Sequence, residues 1–114
     1  MDREGIILMD YRKEYADATS PEWTTGLGLL PDHMVDGMVR YILRGIPPGS
    51  FLTAVLGGDL FTALRKADEC NVSALPAYGK FLHNYAPSNC FGTADRVDAW
   101  IDRGGLVGKK DDAV

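Results

Sequence analysis

The sequence predicts an all-α fold, a compact irregular bundle of five to six short helices. Apolar residues recur at helical spacing in most of the segments between breaks, and no two segments alternate apolar and polar residues as paired strands do. Clusters of glycine and proline keep the segments short. With 114 residues, of which 46% are hydrophobic and 25% charged, the chain has the size and composition of one globular domain.

We expect three parts in the chain: an N-terminal helix with an irregular segment (1–29), a helical core domain (30–106) and a flexible tail (107–114). The first helix has apolar residues at spacings of 3, 4 and 3, which place them on one face: Leu8, Tyr11, Tyr15 and Ala18. Residues 5–9 are also compatible with a short strand. Residues 19–30 are expected to be irregular, with Trp23 folded back onto the core.

The second helix has the clearest boundaries. Pro31 suits a first turn, because its missing N–H would have no partner there, and Asp32 adds negative charge where the helix dipole favours it. Gly45 fits the left-handed position after the last turn, and Pro47-Pro48 prevents continuation. Between these ends lies one apolar stripe: Met34, Val35, Met38, Val39 and Ile42.

Four further helices are expected to start at polar residues whose side chains can accept hydrogen bonds from free backbone N–H groups: Ser50, Asp59, Ser73 and Thr93. Pro76 then falls in the first turn of the helix that Ser73 caps. Gly104-Gly105 ends the last helix, and Leu106 is expected to fold back onto it as an apolar contact.

Apolar residues repeat at helical spacing in these helices as well. After Asp59, one stripe contains Leu60, Leu64 and Ala67, with Phe61 beside it. The two helices that follow have their apolar faces at Leu75, Tyr78, Phe81, Leu82 and Tyr85, and at Val97, Trp100 and Ile101.

Charge and cysteine content argue against several classes of protein. The 12 basic and 16 acidic residues give a net charge of −4, and no segment has the dense basic stripe typical of nucleic-acid binding. The chain has two cysteines, Cys70 and Cys90, which is fewer than a small secreted domain usually has. The apolar run Ile6–Met9 is too short for a signal peptide or a membrane span. We therefore expect a cytoplasmic protein with two reduced thiols and no membrane association.

Residues 50–69 have the spacing of a helix-turn-helix hairpin, which predicts DNA binding as an alternative function. Ala54 and Gly58 match the small residue and the turn glycine, and Leu64 and Ala67 fit inward positions of a recognition helix. The DNA-contacting residues would be Arg65, Lys66, Thr62 and Arg44. Three acids against two bases give residues 59–69 a net charge of −1, which is unfavourable beside phosphates. A plain helical hairpin is therefore the favoured interpretation.

No constellation of residues predicts catalysis, a metal site or a cofactor. Cys70, His83 and Cys90 lack the closely spaced ligand pairs of structural zinc sites, and nothing supplies an acid to orient His83 beside Cys90. No phosphate-binding glycine motif is present. Carboxylates on the last helix fit an ion-paired, solvated face: Asp95, Asp98 and Asp102. We expect no catalytic residue, no metal ligand, no cofactor and no enzymatic activity.

The proline-containing loop over residues 46–52 leaves two interpretations open. It either presents Phe51 as a docking edge or forms a corner that packs Phe51 into the core, and the corner is favoured because aromatic side chains dominate core burial. The candidate protein-binding residues are Trp23, Pro47, Pro48 and Phe51.

Residues 30–106 resemble a family of small, uncharacterised proteins of bacteriophages and prophages. The residues that carry the resemblance are Arg44 to Leu56, Asp59-Leu60, Ala67-Asp68, Ala86-Pro87-Ser88 and Trp100-Ile101. The resemblance implies a phage or prophage setting and an accessory role, but no activity or site residues. Small accessory phage proteins commonly bind a host protein or complex, anti-CRISPR proteins among them. The expected function is thus a protein-binding module that modulates a host complex in the host cytoplasm.

Overall fold

The computed structural model describes residues 11–108. Within that range there are seven α-helices, two short 3₁₀ helices and no strand, so the all-α prediction is confirmed. The α-helices are α1 (Tyr11–Ala18), α2 (Pro21–Gly26), α3 (Asp32–Arg44), α4 (Ser50–Leu56), α5 (Leu60–Lys66), α6 (Glu69–Tyr85) and α7 (Ala94–Arg103), and the 3₁₀ helices are Leu27–Leu29 and Ser88–Cys90. The expectations for Leu8, for residues 5–9 and for the tail after Gly108 fall outside the described residues.

The prediction that residues 19–30 are irregular is wrong, because α2 and the first 3₁₀ helix lie there. Pro21 occupies the first helical position of α2, where its missing N–H is harmless. The sequence of this helix has no apolar period that would predict it. Its last residue, Gly26, packs closely against Tyr85, because a Cβ on Gly26 would lie 2.5 Å from Cδ2 of Tyr85. Trp23 packs half-buried against the core, as expected.

Helix α3 has the predicted boundaries to within one residue. It begins at Asp32, directly after Pro31, and ends at Arg44, which is followed by Gly45 with a left-handed φ of 68°. The Gly45 N–H donates to the carbonyl of Tyr41 at 2.9 Å, which closes the last turn. Four residues of the apolar stripe are buried as their spacing predicts, namely Val35, Met38, Val39 and Ile42, and Met34 is half-buried.

Of the four expected N-caps, two are confirmed and two are wrong. Oδ1 of Asp59 accepts the backbone N–H of Thr62 at 3.1 Å, and Oγ1 of Thr93 accepts that of Arg96 at 3.1 Å. Ser50 is the first residue of α4 rather than its cap, and the cap position carries no side-chain hydrogen bond.

The fourth expected cap, Ser73, is also wrong, because α6 already begins at Glu69. Oδ1 of Asp68 accepts the backbone N–H of Asn71 at 2.8 Å and caps the helix there. Pro76 consequently lies inside α6 rather than in its first turn.

One apolar core includes both the N-terminal segment and the expected core domain. Tyr15 of α1 and Leu27 belong to the same buried cluster as the stripe of α3. After α7, the Leu106 N–H donates to the carbonyl of Ile42 at 2.9 Å, and the Leu106 side chain packs against the core as expected. The largest fully buried side chains are Trp100, Tyr15, Tyr41, Tyr78, Phe81, Met38, Ile42, Leu43 and Leu56.

Candidate functional site

Helix α5 exposes most of its apolar side chains. Leu60 is 58% exposed, Phe61 78% and Leu64 41%, whereas the buried residue of α5 is Ala63. The expectation that Leu64 faces inward in a recognition helix is therefore wrong. We call the surface formed by Leu60, Phe61 and Leu64 the α5 face.

The turn before α5 and its small buried residue explain why only one side of this helix packs against the core. Gly58 adopts φ +76°, which turns the chain back after α4, and the Asp59 N–H donates to the carbonyl of Ala54 at 2.9 Å. Ala63 then packs into the core. A small inward residue leaves the larger apolar residues of this short helix on the outer side.

A groove with a volume of about 310 Å³ is lined by residues of α4, α5 and α6 and by residues 91–92, and it adjoins the α5 face through Leu60. Gly79 of α6 forms part of its wall, and nothing lies within 4 Å of where a Cβ on Gly79 would stand. Asp59 is also one of the lining residues. The other lining residues are mostly apolar: Ala54, Val55, Ala63, Leu75, Tyr78, Leu82 and Phe91, with Gly58 and Gly92.

Acidic and basic side chains are mixed on and beside α5. Hydrogen bonds from Thr62 hold the pKa of Asp59 below its ordinary value, and the charge of Arg65 lowers it further. Arg65 also donates to Oγ1 of Thr62 at 3.3 Å. Arg65, Lys66 and Lys80 are exposed, and none of them forms an ion pair with a carboxylate of residues 11–108.

The candidate protein-binding residues from the sequence do not form one exposed patch. Phe51 is 6% exposed, and its ring packs edge-on at 5.4 Å from that of Tyr78, so the loop is a corner rather than a docking edge. Trp23 is half-buried, Pro47 is exposed and Pro48 is half-buried.

The candidate DNA-contacting residues divide between two helices. Arg65, Lys66 and Thr62 lie on α5, but Arg44 at the end of α3 is paired with Glu14 at 2.6 Å. The hairpin of α4 and α5 does form, with Gly58 in its turn. The expected recognition helix over residues 59–69 is shorter than predicted, since α5 ends at Lys66.

The thiols and the remaining polar groups offer little reactive chemistry. Burial raises the pKa of the Cys90 thiol from 9.0 to about 12, which keeps it protonated at neutral pH, whereas Cys70 and His83 are exposed. Among residues 11–108, no three His, Cys, Asp or Glu side chains come together as possible metal ligands. No helix in the described part of the chain is long and apolar enough to cross a bilayer.

The α5 face is the feature that sequence reasoning did not identify as a site. The signal was its surplus of large apolar residues, three in a helix of seven, but periodicity alone does not show whether a stripe is covered. Comparison with family models, with curated proteins and with solved structures finds no match for this chain.

Proposed function

We propose that this chain is a non-enzymatic protein-binding module, a phage or prophage accessory protein that modulates a host complex. Its docking surface is the α5 face together with the adjoining groove. The observation that carries the proposal is the exposure of Leu60, Phe61 and Leu64 within one helix. Contiguous apolar surface of this kind is typical of protein-interaction sites, whereas single exposed apolar residues are ordinary.

The exposed apolar residues of the α5 face are unfavourable for the isolated protein, which supports a role in binding rather than in the stability of the fold. Phe61 gains little from folding because 78% of its surface stays in water. Phenylalanine and leucine also promote self-association when they are exposed together. A side chain that adds no packing and risks aggregation is best explained by a partner that covers it.

DNA binding has weaker support from the same helix. A recognition helix presents polar and basic side chains to base edges and phosphates. The outer side of α5 instead carries the α5 face, and its two bases are accompanied by the acids Asp59, Asp68 and Glu69 at its ends. The apolar surface of a protein partner therefore fits the outer side of α5 better than DNA does.

Affinity capture from host lysate tests the proposal. The tagged full chain and its Phe61→Ser variant are compared with and without nuclease, after circular dichroism has shown equal helix content. We expect the wild type to retain one host protein at near-stoichiometric, nuclease-resistant yield, and the variant to lose roughly nine-tenths of it. Equal retention by the variant would contradict the proposal. Recovery of nucleic acid, with proteins lost after nuclease treatment, would favour the DNA-binding alternative.

A further inference from the structure

We infer that helix α6 is hinged at Pro76 and that the buried hydrogen bond between Tyr78 and Asn71 is the latch that holds the hinge closed. The latch controls where the first half of the helix, residues 69–75, lies relative to the second half, residues 76–85. The hinge matters for binding because α6 forms part of the groove, and this consequence rests on the proposed function.

Pro76 weakens the backbone of α6 inside the helix. The helix has 17 residues, and Pro76 lies within it rather than at its start. Proline has no N–H to donate to the carbonyl of Val72, four residues earlier, and its ring crowds that carbonyl. Gly79, one turn later, is also a poor helix former. Helices that bend sharply do so at residues of this kind, so the backbone joins the two halves less firmly than in an uninterrupted helix.

The two halves of α6 are held to the core unequally. The second half has three buried side chains: Tyr78, Phe81 and Leu82. It is also joined to α1, because the hydroxyl of Tyr15 donates to the carbonyl of Tyr85 at 3.4 Å. Within residues 69–75 the one buried side chain is the polar Asn71, while Ala74 and Leu75 are half-buried. A buried amide is unfavourable unless it is hydrogen-bonded, so this anchor depends on the partner of Asn71.

That partner lies on the other side of the proline. The hydroxyl of Tyr78 donates to Oδ1 of Asn71 at 2.8 Å, and both side chains are buried. The bond therefore spans the part of the helix in which Pro76 removes a backbone bond. The ring of Tyr78 packs edge-on against Phe51 of α4 at 5.4 Å, which fixes the donor. Breaking the bond would leave two buried polar groups unpaired, so the latch is closed in the free protein.

The hinge lies in the wall of the groove. Leu75 lines the groove from the first half of α6, and Gly79 and Leu82 line it from the second half. Tyr78, which carries the latch hydroxyl, is a lining residue as well. Movement of residues 69–75 about the hinge would shift Leu75 relative to the other lining residues and change the width of the groove.

Native-state hydrogen exchange of the full chain tests the hinge. A segment as short as residues 69–75 does not stay helical once it is detached, so opening of the latch exposes its amides to solvent. We expect the amides of residues 72–75 to exchange about tenfold faster than those of residues 81–85, with little dependence on urea below the unfolding transition. One rate and one urea dependence for both groups would show that α6 opens as a single unit, which would overturn the inference.

Two variants assign the opening to the latch and to the proline. Tyr78→Phe removes the latch hydroxyl and keeps the ring, and it should accelerate exchange in residues 72–75 about tenfold. Pro76→Ala supplies the missing N–H for the carbonyl of Val72 and should slow this exchange severalfold. Tyr85→Phe is the matched control, because it removes a hydroxyl from the same helix beyond the hinge, and it should change the rates less than about twofold.

A dye that binds exposed apolar surface, ANS, reports the groove. Its fluorescence should increase for Tyr78→Phe and fall again when Pro76→Ala is added, in variants whose circular dichroism shows the wild-type helix content. Unchanged fluorescence, no acceleration of exchange by Tyr78→Phe or no slowing by Pro76→Ala would each refute the inference. Exchange and dye binding need no partner. Lysate capture that depends on Phe61 without these changes therefore refutes the hinge alone, and a hinge without capture refutes the proposed function alone.

Discussion

Tyr41 connects three parts of the fold through one buried residue. Its hydroxyl donates to the carbonyl of Cys90 at 2.7 Å, and its own carbonyl accepts the indole N–H of Trp100 at 2.9 Å. Helix α3 is thereby joined to the second 3₁₀ helix and to α7. Both bonds are buried, so breaking either leaves a polar group without water to replace its partner.

Tyr41→Phe should lower the free energy of unfolding by about 1–2 kcal/mol. The change removes only the hydroxyl and leaves the carbonyl of Cys90 without its donor. Urea denaturation with an unchanged m-value measures the loss. Tyr85→Phe is the control, because the half-buried Tyr85 hydroxyl donates no hydrogen bond within residues 11–108, and its effect should stay within about 0.5 kcal/mol. Equal losses would show that the bond to Cys90 contributes nothing.

The sequence pattern predicts local features, such as helix ends, better than it predicts which side chains are buried. Gly45 and Thr93 were predicted because a left-handed turn and a capping hydroxyl depend on a few neighbouring residues. The stripe containing Leu60 and Leu64 was also visible, but whether it is covered depends on elements elsewhere in the chain. The sequence therefore predicts the apolar residues of the α5 face but not that they are exposed.

Helix α6 shows how the choice between two possible N-caps determines where a helix starts and how long it is. Asp68 and Ser73 are both suitable N-caps, and the prediction placed the cap at Ser73, with Pro76 in the first turn. The structure places the start at Asp68, where Asn71 is also buried and accepts the hydroxyl of Tyr78 at 2.8 Å. The cap at Asp68 and this hydrogen bond within α6 both favour the longer helix, which contains Pro76.

Asp68→Ala should destabilise the protein by about 1 kcal/mol, because it removes the cap of α6. Ser73→Ala should be neutral or slightly stabilising, because alanine has the higher helix propensity inside α6. Thermal and urea unfolding of the two variants give the comparison. A larger loss for Ser73 than for Asp68 would contradict the observed helix start.

Gly79→Ala should raise the free energy of unfolding by about 0.5–1 kcal/mol, because alanine is the better helix residue and its Cβ enters open space. It should also weaken partner binding, since that space is part of the groove. Gly26→Ala is the opposite case, because its Cβ would meet the ring of Tyr85 at 2.5 Å, and it should destabilise. A Gly79→Ala protein that is less stable than the wild type would mean that the fold itself needs this glycine.

For the molecule as a whole, buried tyrosines and a buried thiol predict sensitivity to alkali. Burial raises the pKa values of Tyr15, Tyr41 and Tyr78 above 10.0 and that of Cys90 from 9.0 to about 12. Because the folded state holds these protons more tightly, their contribution is complete below pH 9 and is lost as the pH rises toward 12 and beyond.

Each of these groups should lower the free energy of unfolding by about 1.4 kcal/mol per pH unit in that range. We therefore expect cooperative unfolding in alkali, with tyrosinate absorbance and loss of helical circular dichroism rising together. Tyrosines that all ionise near pH 10 while the helices remain intact would contradict this description of the core.

The central claim is that α5 forms the docking surface, and a matched pair of leucines tests it most directly. Leu64 on α5 and Leu29 on the first 3₁₀ helix are each 41% exposed, so replacing either with Ser removes a similar apolar surface. The Kd for the captured host partner should rise roughly tenfold for Leu64→Ser and change less than about twofold for Leu29→Ser. Equal effects of the two substitutions, or a stronger effect at Leu29, would contradict the claim.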